Sequence, residues 1–90
     1  MDKREISRIL EEIGLMLELK GDNPFKIRAY VNGARILETL EGNLNDYIED
    51  GKIVGVKGIG EALSDKIIEL YETGRLEFYE NLKKSIPSGL

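Results

Sequence analysis

The chain has no cysteine, no histidine and no tryptophan, and only two prolines and two phenylalanines in 90 residues. Without cysteine there is no disulfide framework and no thiol nucleophile. Without cysteine and histidine together there is no usual zinc site. The missing histidine also removes Ser–His–Asp and Cys–His machinery, so any covalent chemistry falls to Lys, Arg, Asp, Glu, Tyr or Ser. No apolar run approaches the ~20 residues of a membrane span, and the opening Met1-Asp2-Lys3-Arg4-Glu5 is too charged for a signal peptide. These absences favour an intracellular, cytoplasmic protein without membrane contact. Positive charge is also short, with 13 Lys and Arg against 17 Asp and Glu, a net of -4. What remains is 41% hydrophobic and 33% charged, the composition of one small folded domain. A chain of this length buries roughly two thirds of its unfolded surface, so its core is modest.

Asp2 followed by Glu5 forms a capping box, and Ile6, Ile9, Leu10, Ile13, Leu17 and Leu19 then recur at near-helical spacing as far as Lys20. Gly21 supplies the left-handed exit. Asn23-Pro24 starts a second helix, running to about Leu40. Its residues Phe25, Ile27, Ala29, Tyr30, Val31, Ala34, Ile36, Leu37 and Leu40 leave only Arg28, Asn32 and Arg35 as a polar strip. A helix apolar nearly all round belongs at the centre of a bundle. Asn43 is the expected cap of a short third helix, Leu44 to Glu49. Ile53-Val54-Gly55-Val56 has strand-like composition but nothing to pair with. A fourth helix spans Glu61 to Thr73 and stops at Gly74, and a fifth spans about Leu76 to Lys84. The spacing therefore predicts an all-α fold, a compact orthogonal bundle of four to five short helices over residues 1–84. Pro87-Ser88-Gly89 breaks the helical pattern, and residues 85–90 read as the start of a linker cut mid-way, with a further domain expected beyond.

The most informative stretch is Val56-Lys57-Gly58-Ile59-Gly60 leading into Glu61-Ala62-Leu63-Ser64-Asp65-Lys66-Ile67. Two glycines flank one apolar residue, so the backbone can turn tightly while Ile59 anchors it in the core. The amides of Gly58 to Gly60 are then expected to face outward at a helix start, where partial positive charge suits a phosphate oxygen. Lys57 adds a full charge. A bare G-x-G is weak by itself and more often a plain helix–helix turn. Here it is followed by Leu63, Ile67 and Leu70 at helical spacing, the helix-hairpin-helix pattern that grips the DNA backbone without reading bases.

The run Val56 to Leu76, VKGIGEALSDKIIELYETGRL, resembles the hairpin and following helix of the amino-terminal domain of family X DNA polymerases. Asn23 to Leu40, NPFKIRAYVNGARILETL, resembles the second helix of that domain, and the closing IPSGL resembles the link to the next domain in bacterial and archaeal members. The resemblance implies a DNA-repair role in gap filling and base excision. The domain would hold the 5′-phosphate side of gapped or nicked DNA as a monomer, joined to the rest of a nucleotidyl-transferring polymerase chain. In a prokaryote it would be nucleoid-associated. No cofactor would be required, and the polymerase's metal-binding aspartates would lie elsewhere.

In vertebrate repair members this domain also removes the 5′-deoxyribose phosphate through a Schiff base, and alignment through Gly58-Ile59-Gly60 carries that lysine onto Lys66. The reaction needs a neutral amine. Lys66 sits at the edge of the Leu63–Ile67–Leu70 arc, where it is expected to be half-buried. It could equally be a boundary lysine packed over the core or paired with Glu69. The resemblance further implies DNA contacts from Lys57, Gly58, Ile59 and Gly60, and from Phe25, Lys26 and Tyr30. Phe25 stands where the family has a histidine that stacks on a base; every base offers a π-face to such a ring. Plain core packing is the competing account of Phe25 and Tyr30. The chain departs from the lyase-active pattern at Ala62, where a phosphate-holding lysine is expected, at Phe78, where a backup amine is expected, and at Lys57, which replaces a proline. The family hairpin often holds a monovalent cation (Na+ or K+), here through the backbone carbonyls of Val54, Val56 and Ile59.

Net charge opposes tight DNA binding, because phosphate neutralisation supplies most of the affinity. Only Lys26, Lys57, Lys66 and the hairpin amides form a local basic patch. Weak binding is expected, with a salt slope worth about two or three phosphates. The competing reading is a helix-hairpin-helix scaffold for protein contacts, working through its acidic surface and performing no catalysis.

Overall fold

The computed structural model describes residues 1–86. The expected break at Pro87-Ser88-Gly89 and most of the expected linker therefore lie outside the described residues. Five α-helices and one 3-10 turn follow in order, with no strand among the described residues. They are α1 (Lys3–Leu19), α2 (Pro24–Thr39), α3 (Leu44–Glu49), the 3-10 turn Lys52–Gly55, α4 (Glu61–Thr73) and α5 (Glu77–Ser85). No helix among the described residues is long and apolar enough to cross a membrane.

The first two helices begin as their sequences dictate. The Glu5 amide donates to the Asp2 carboxylate at 2.9 Å, and the Phe25 amide donates to the Asn23 side chain at 2.8 Å with Pro24 in the first turn. Ile6, Leu10, Ile13 and Leu17 line the core as their spacing predicts. Leu19 does not: it is 69% exposed, and Met16 is buried instead. Leu19 follows Leu17 by two residues, about 200° around the helix, which points it away from the core.

The centre of the bundle falls to α1 and not, as expected, to α2: α1 packs against α2, α4 and α5 and buries seven residues to the four of α2. Gly14 of α1 passes so close that an added Cβ would lie 3.0 Å from Val31, and the Ser7 hydroxyl donates to the Ala34 carbonyl at 2.6 Å. On the opposite side Gly33 leaves room for Leu63 of α4, and Ile36 packs over Gly58. The all-round burial expected of α2 fails at its start, where Phe25 is 77% exposed.

Two further expectations change. Asn43 precedes α3 but makes no side-chain cap; α3 is instead tied to α4 by the Tyr71 hydroxyl, which donates to Asn45 at 2.8 Å. The strand-like Ile53–Val56 segment forms the 3-10 turn, with Ile53 fully buried and Val54 exposed. An isolated apolar stretch with no strand beside it satisfies its amides locally, so Val56 donates to the Ile53 carbonyl at 3.2 Å. The α1–α5 seam is closed by the Tyr79 hydroxyl, which donates to Glu12 at 2.6 Å.

Candidate nucleic-acid interface

The hairpin joins the 3-10 turn to α4. Gly58 has φ +93, a left-handed conformation that costs a side chain steric energy, and any Cβ there would also collide with Ile36. Ile59 turns inward and is buried. Its amide turns inward as well, donating to the Val56 carbonyl at 3.0 Å. The expectation of three outward amides is therefore corrected: the tight turn uses the Ile59 N–H to hold itself together. The amides of Gly58, Gly60, Glu61 and Ala62, all on exposed residues, take no partner among the described residues. Gly60 is the cap residue of α4 and contributes no side chain to satisfy them. It has extended backbone and open space where a Cβ would sit, so neither conformation nor packing requires glycine there. Lys57 is exposed beside this helix start, while the Glu61 carboxylate in the first turn works against an anion.

A second group lies on one side of α2, α4 and α5. Lys66 is half-buried, its Nζ 5.0 Å from the centroid of the Phe78 ring. The Nζ of Lys26 lies 6.0 Å from the same centroid. Tyr30, only 6% exposed, stacks on Phe78 with ring centroids 6.1 Å apart and planes 5° apart. Burial pushes the Tyr30 phenol up to about 12, so it stays neutral at ordinary pH. Lys66 makes no ion pair among the described residues, and Glu69 is occupied elsewhere, accepting the Glu77 amide at 3.0 Å. Pairing with Glu69 is thereby set aside as an account of Lys66.

The site residues named from sequence thus fall into three sets. Lys57, Gly58, Ile59 and Gly60 form the turn. Lys26, Tyr30 and Lys66 meet at Phe78. Phe25 stands apart on the surface, with the Arg28 guanidinium 6.0 Å from its ring. Phe78 is the residue that sequence reasoning missed as a meeting point. Its signals were the resemblance, which sets Phe78 where a backup amine is expected, and the four-residue spacing of Lys26 and Tyr30, which puts them on one face of α2. Of the carbonyls named for a cation, that of Val56 already accepts the Ile59 amide. Those of Val54 and Ile59 accept no backbone bond outside regular helix among the described residues.

A turn with buried apolar anchor, a left-handed glycine and an uncapped helix start is the geometry of a helix-hairpin-helix. The family described as helix-hairpin-helix domain matches residues 1–76. The chain belongs to that family. This helix-hairpin-helix domain is also similar along its whole length to the amino-terminal part of the DNA polymerase/3'-5' exonuclease PolX of Bacillus subtilis (strain 168), a family X polymerase, with 38% identity over 90 residues. The aligned region is 100% of this chain and 15% of that protein, so the chain spans a small part of its relative's length.

Proposed function

We propose that the domain binds DNA through its hairpin and holds the 5′-phosphate side of a gap or nick, as the amino-terminal part of a repair polymerase. The observation that carries this reading is the uncapped start of α4, where the amides of the exposed residues Gly60, Glu61 and Ala62, without partners among the described residues, follow Lys57. Such a terminus supplies hydrogen bonds and partial positive charge to a phosphate without reading any base. Lys26 and Lys66 add two further cations, whereas the net charge of -4 and the Glu61 carboxylate hold the affinity down. Binding of gapped duplexes with and without a 5′-phosphate, titrated with salt, tests this. The expected result is a preference for the phosphate and a salt slope of about two or three phosphates. Nanomolar affinity persisting at high salt would contradict the electrostatics, and indifference to the phosphate would favour a protein-contact scaffold. Work inside the cytoplasm on nucleoid DNA, and monomeric behaviour, belong to the same proposal. So does the parent chain's role as a DNA-directed polymerase.

A second reading adds 5′-deoxyribose phosphate lyase activity at Lys66. It is favoured by the half-buried position of this amine and the absence of a carboxylate partner among the described residues. The Lys66 amine would attack the sugar aldehyde and lose water to form an imine; water would then take the C2′ proton as the C3′–O bond breaks and releases the 5′-phosphorylated strand, and hydrolysis of the imine would free the amine. Borohydride trapping on a gapped duplex with a 5′-deoxyribose phosphate decides it. A covalent adduct lost in Lys66→Ala supports the lyase. An adduct that persists moves the chemistry to another amine, and no adduct with binding intact leaves a DNA-end clamp. For a monovalent cation, the carbonyls of Val54 and Ile59 would be the holding groups, with Val56 sharing its second lone pair. It would brace the turn beside a phosphate.

A further inference from the structure

We propose that Phe78 is a positioning residue, whose ring gathers Lys26 and Lys66 into one two-ammonium site selective for a terminal phosphomonoester. This rests on the reading that the domain takes DNA ends. The two lysines come from different helices, α2 and α4, yet their Nζ atoms lie 6.0 Å and 5.0 Å from one ring centroid on α5. Neither makes an ion pair among the described residues. Two like charges on flexible four-carbon stems repel and would spread into solvent unless something attracts both.

A carboxylate could hold them, but it would cancel the charge that an incoming anion must meet. An aromatic ring attracts ammonium groups through its quadrupole and leaves their charge intact. The ring itself is held in place by the buried Tyr30, stacked parallel to it. The phosphate at a DNA 5′ end carries about -1.5 to -2 charges near neutrality, as other phosphomonoesters do. An internal phosphodiester carries one. A paired-ammonium site therefore widens the preference for the terminus over the backbone beyond what the hairpin amides supply.

The test has two arms, both on the 90-residue chain. In the free protein, proton NMR should show the ε-methylene protons of Lys26 and Lys66 displaced by the Phe78 ring current, and Phe78→Leu should return them to ordinary lysine positions. In binding, gapped duplexes bearing a 5′-phosphate or a 5′-hydroxyl give a selectivity ratio. Phe78→Leu should lower that ratio by about two- to fivefold, 5′-hydroxyl binding falling by the smaller factor, and Phe78→Tyr should restore it. If Phe78→Leu melts early, Phe78→Met keeps the bulk without the ring and decides in its place. A ratio unchanged in these ring-less variants overturns the inference, as does an equal fall on both duplexes, which would mean a purely structural role. Missing ring-current shifts in the wild type overturn it as well. The functional reading fails differently. A wild-type domain indifferent to the phosphate overturns that reading and removes the selectivity assigned to Phe78, whereas a selective wild type matched by an equally selective Phe78→Leu overturns the Phe78 inference alone.

Discussion

The α1–α2 pair and the hairpin–α4 region are built from similar helices but treat their polar groups in opposite ways. In the first region Asp2 and Asn23 cap their own helices, and the buried Ser7 hydroxyl donates to Ala34 across the interface. In the second region Gly60 leaves α4 uncapped, and the buried Ser64 hydroxyl has no partner among the described residues. Two lysines there rest on an aromatic ring rather than on carboxylates. A satisfied group adds stability and has nothing left to offer a ligand; an unsatisfied one does the reverse. The contrast separates the half that holds the domain together from the half proposed to meet DNA.

The two hairpin glycines should split that contrast most widely. Gly58→Ala should cost about 2 kcal/mol or more in urea unfolding, from left-handed backbone strain plus the collision with Ile36. Gly60→Ala should stay within about 0.5 kcal/mol of wild type, since its backbone is extended and its surroundings open. Equal losses at the two positions would contradict this division of roles within the turn.

Alkaline pH probes the seams between the helices. Burial raises the Tyr30 phenol to about 12, and burial, the hydrogen bond to Glu12 and the nearby carboxylates of Glu12 and Glu80 raise Tyr79 likewise to about 12. A phenol with a raised folded-state pKa contributes stability that is fully present below the unfolded value of about 10 and is lost as pH rises through 12. Roughly 2 kcal/mol should be lost for Tyr30 over that window, and less for Tyr79, which is more open to water. Tyr30→Phe should flatten the alkaline limb; a wild-type stability that holds level up to about pH 12 would sink this account.

Paired serine substitutions should then move in opposite directions. Ser7→Ala should lose about 1 kcal/mol because the Ala34 carbonyl is left with one partner fewer, whereas Ser64→Ala should be neutral or gain up to about 1 kcal/mol. Thermal melts of the two variants side by side check this, and a parallel loss would show that Ser64 does have a partner. The smallest change sharpens the comparison most. Gly60→Asp should cap α4 and stabilise it by about a few tenths of a kcal/mol, yet weaken gapped-DNA binding by placing a carboxylate among the open amides. Tighter binding in that variant would remove the phosphate from this helix start.

Much of this was legible in the chain because its determinants are local. Asp2 with Glu5, Asn23 with Pro24, and Gly74 at the end of α4 mark helix ends by capping and backbone preference, and those ends stand within a residue of expectation. Asn43 stands at the cap position as expected, but its side chain makes no cap: the Asp46 amide it would take donates to the Asn43 carbonyl instead, at 3.2 Å. Ile53–Val56 was ambiguous because β-branched composition describes burial as much as strand, and no neighbouring strand exists among the described residues to use it. At the site, the hairpin was readable from Gly58-Ile59-Gly60, but the direction of the Ile59 amide was not. It depends on which carbonyl the turn brings within reach.

By itself, then, the sequence determined where the helices begin and end, that the hairpin turns at Gly58, and that Ile59 anchors it, since each depends on neighbours along the chain. Only the tertiary structure decided that Lys26, Tyr30 and Lys66 would meet at Phe78. These four residues come from three helices, and helical periodicity sets the face of each one but not the angle at which the helices cross. That angle is set by close approaches at Gly14, Gly33 and Gly58, where the partner of each missing side chain is a residue far away in sequence.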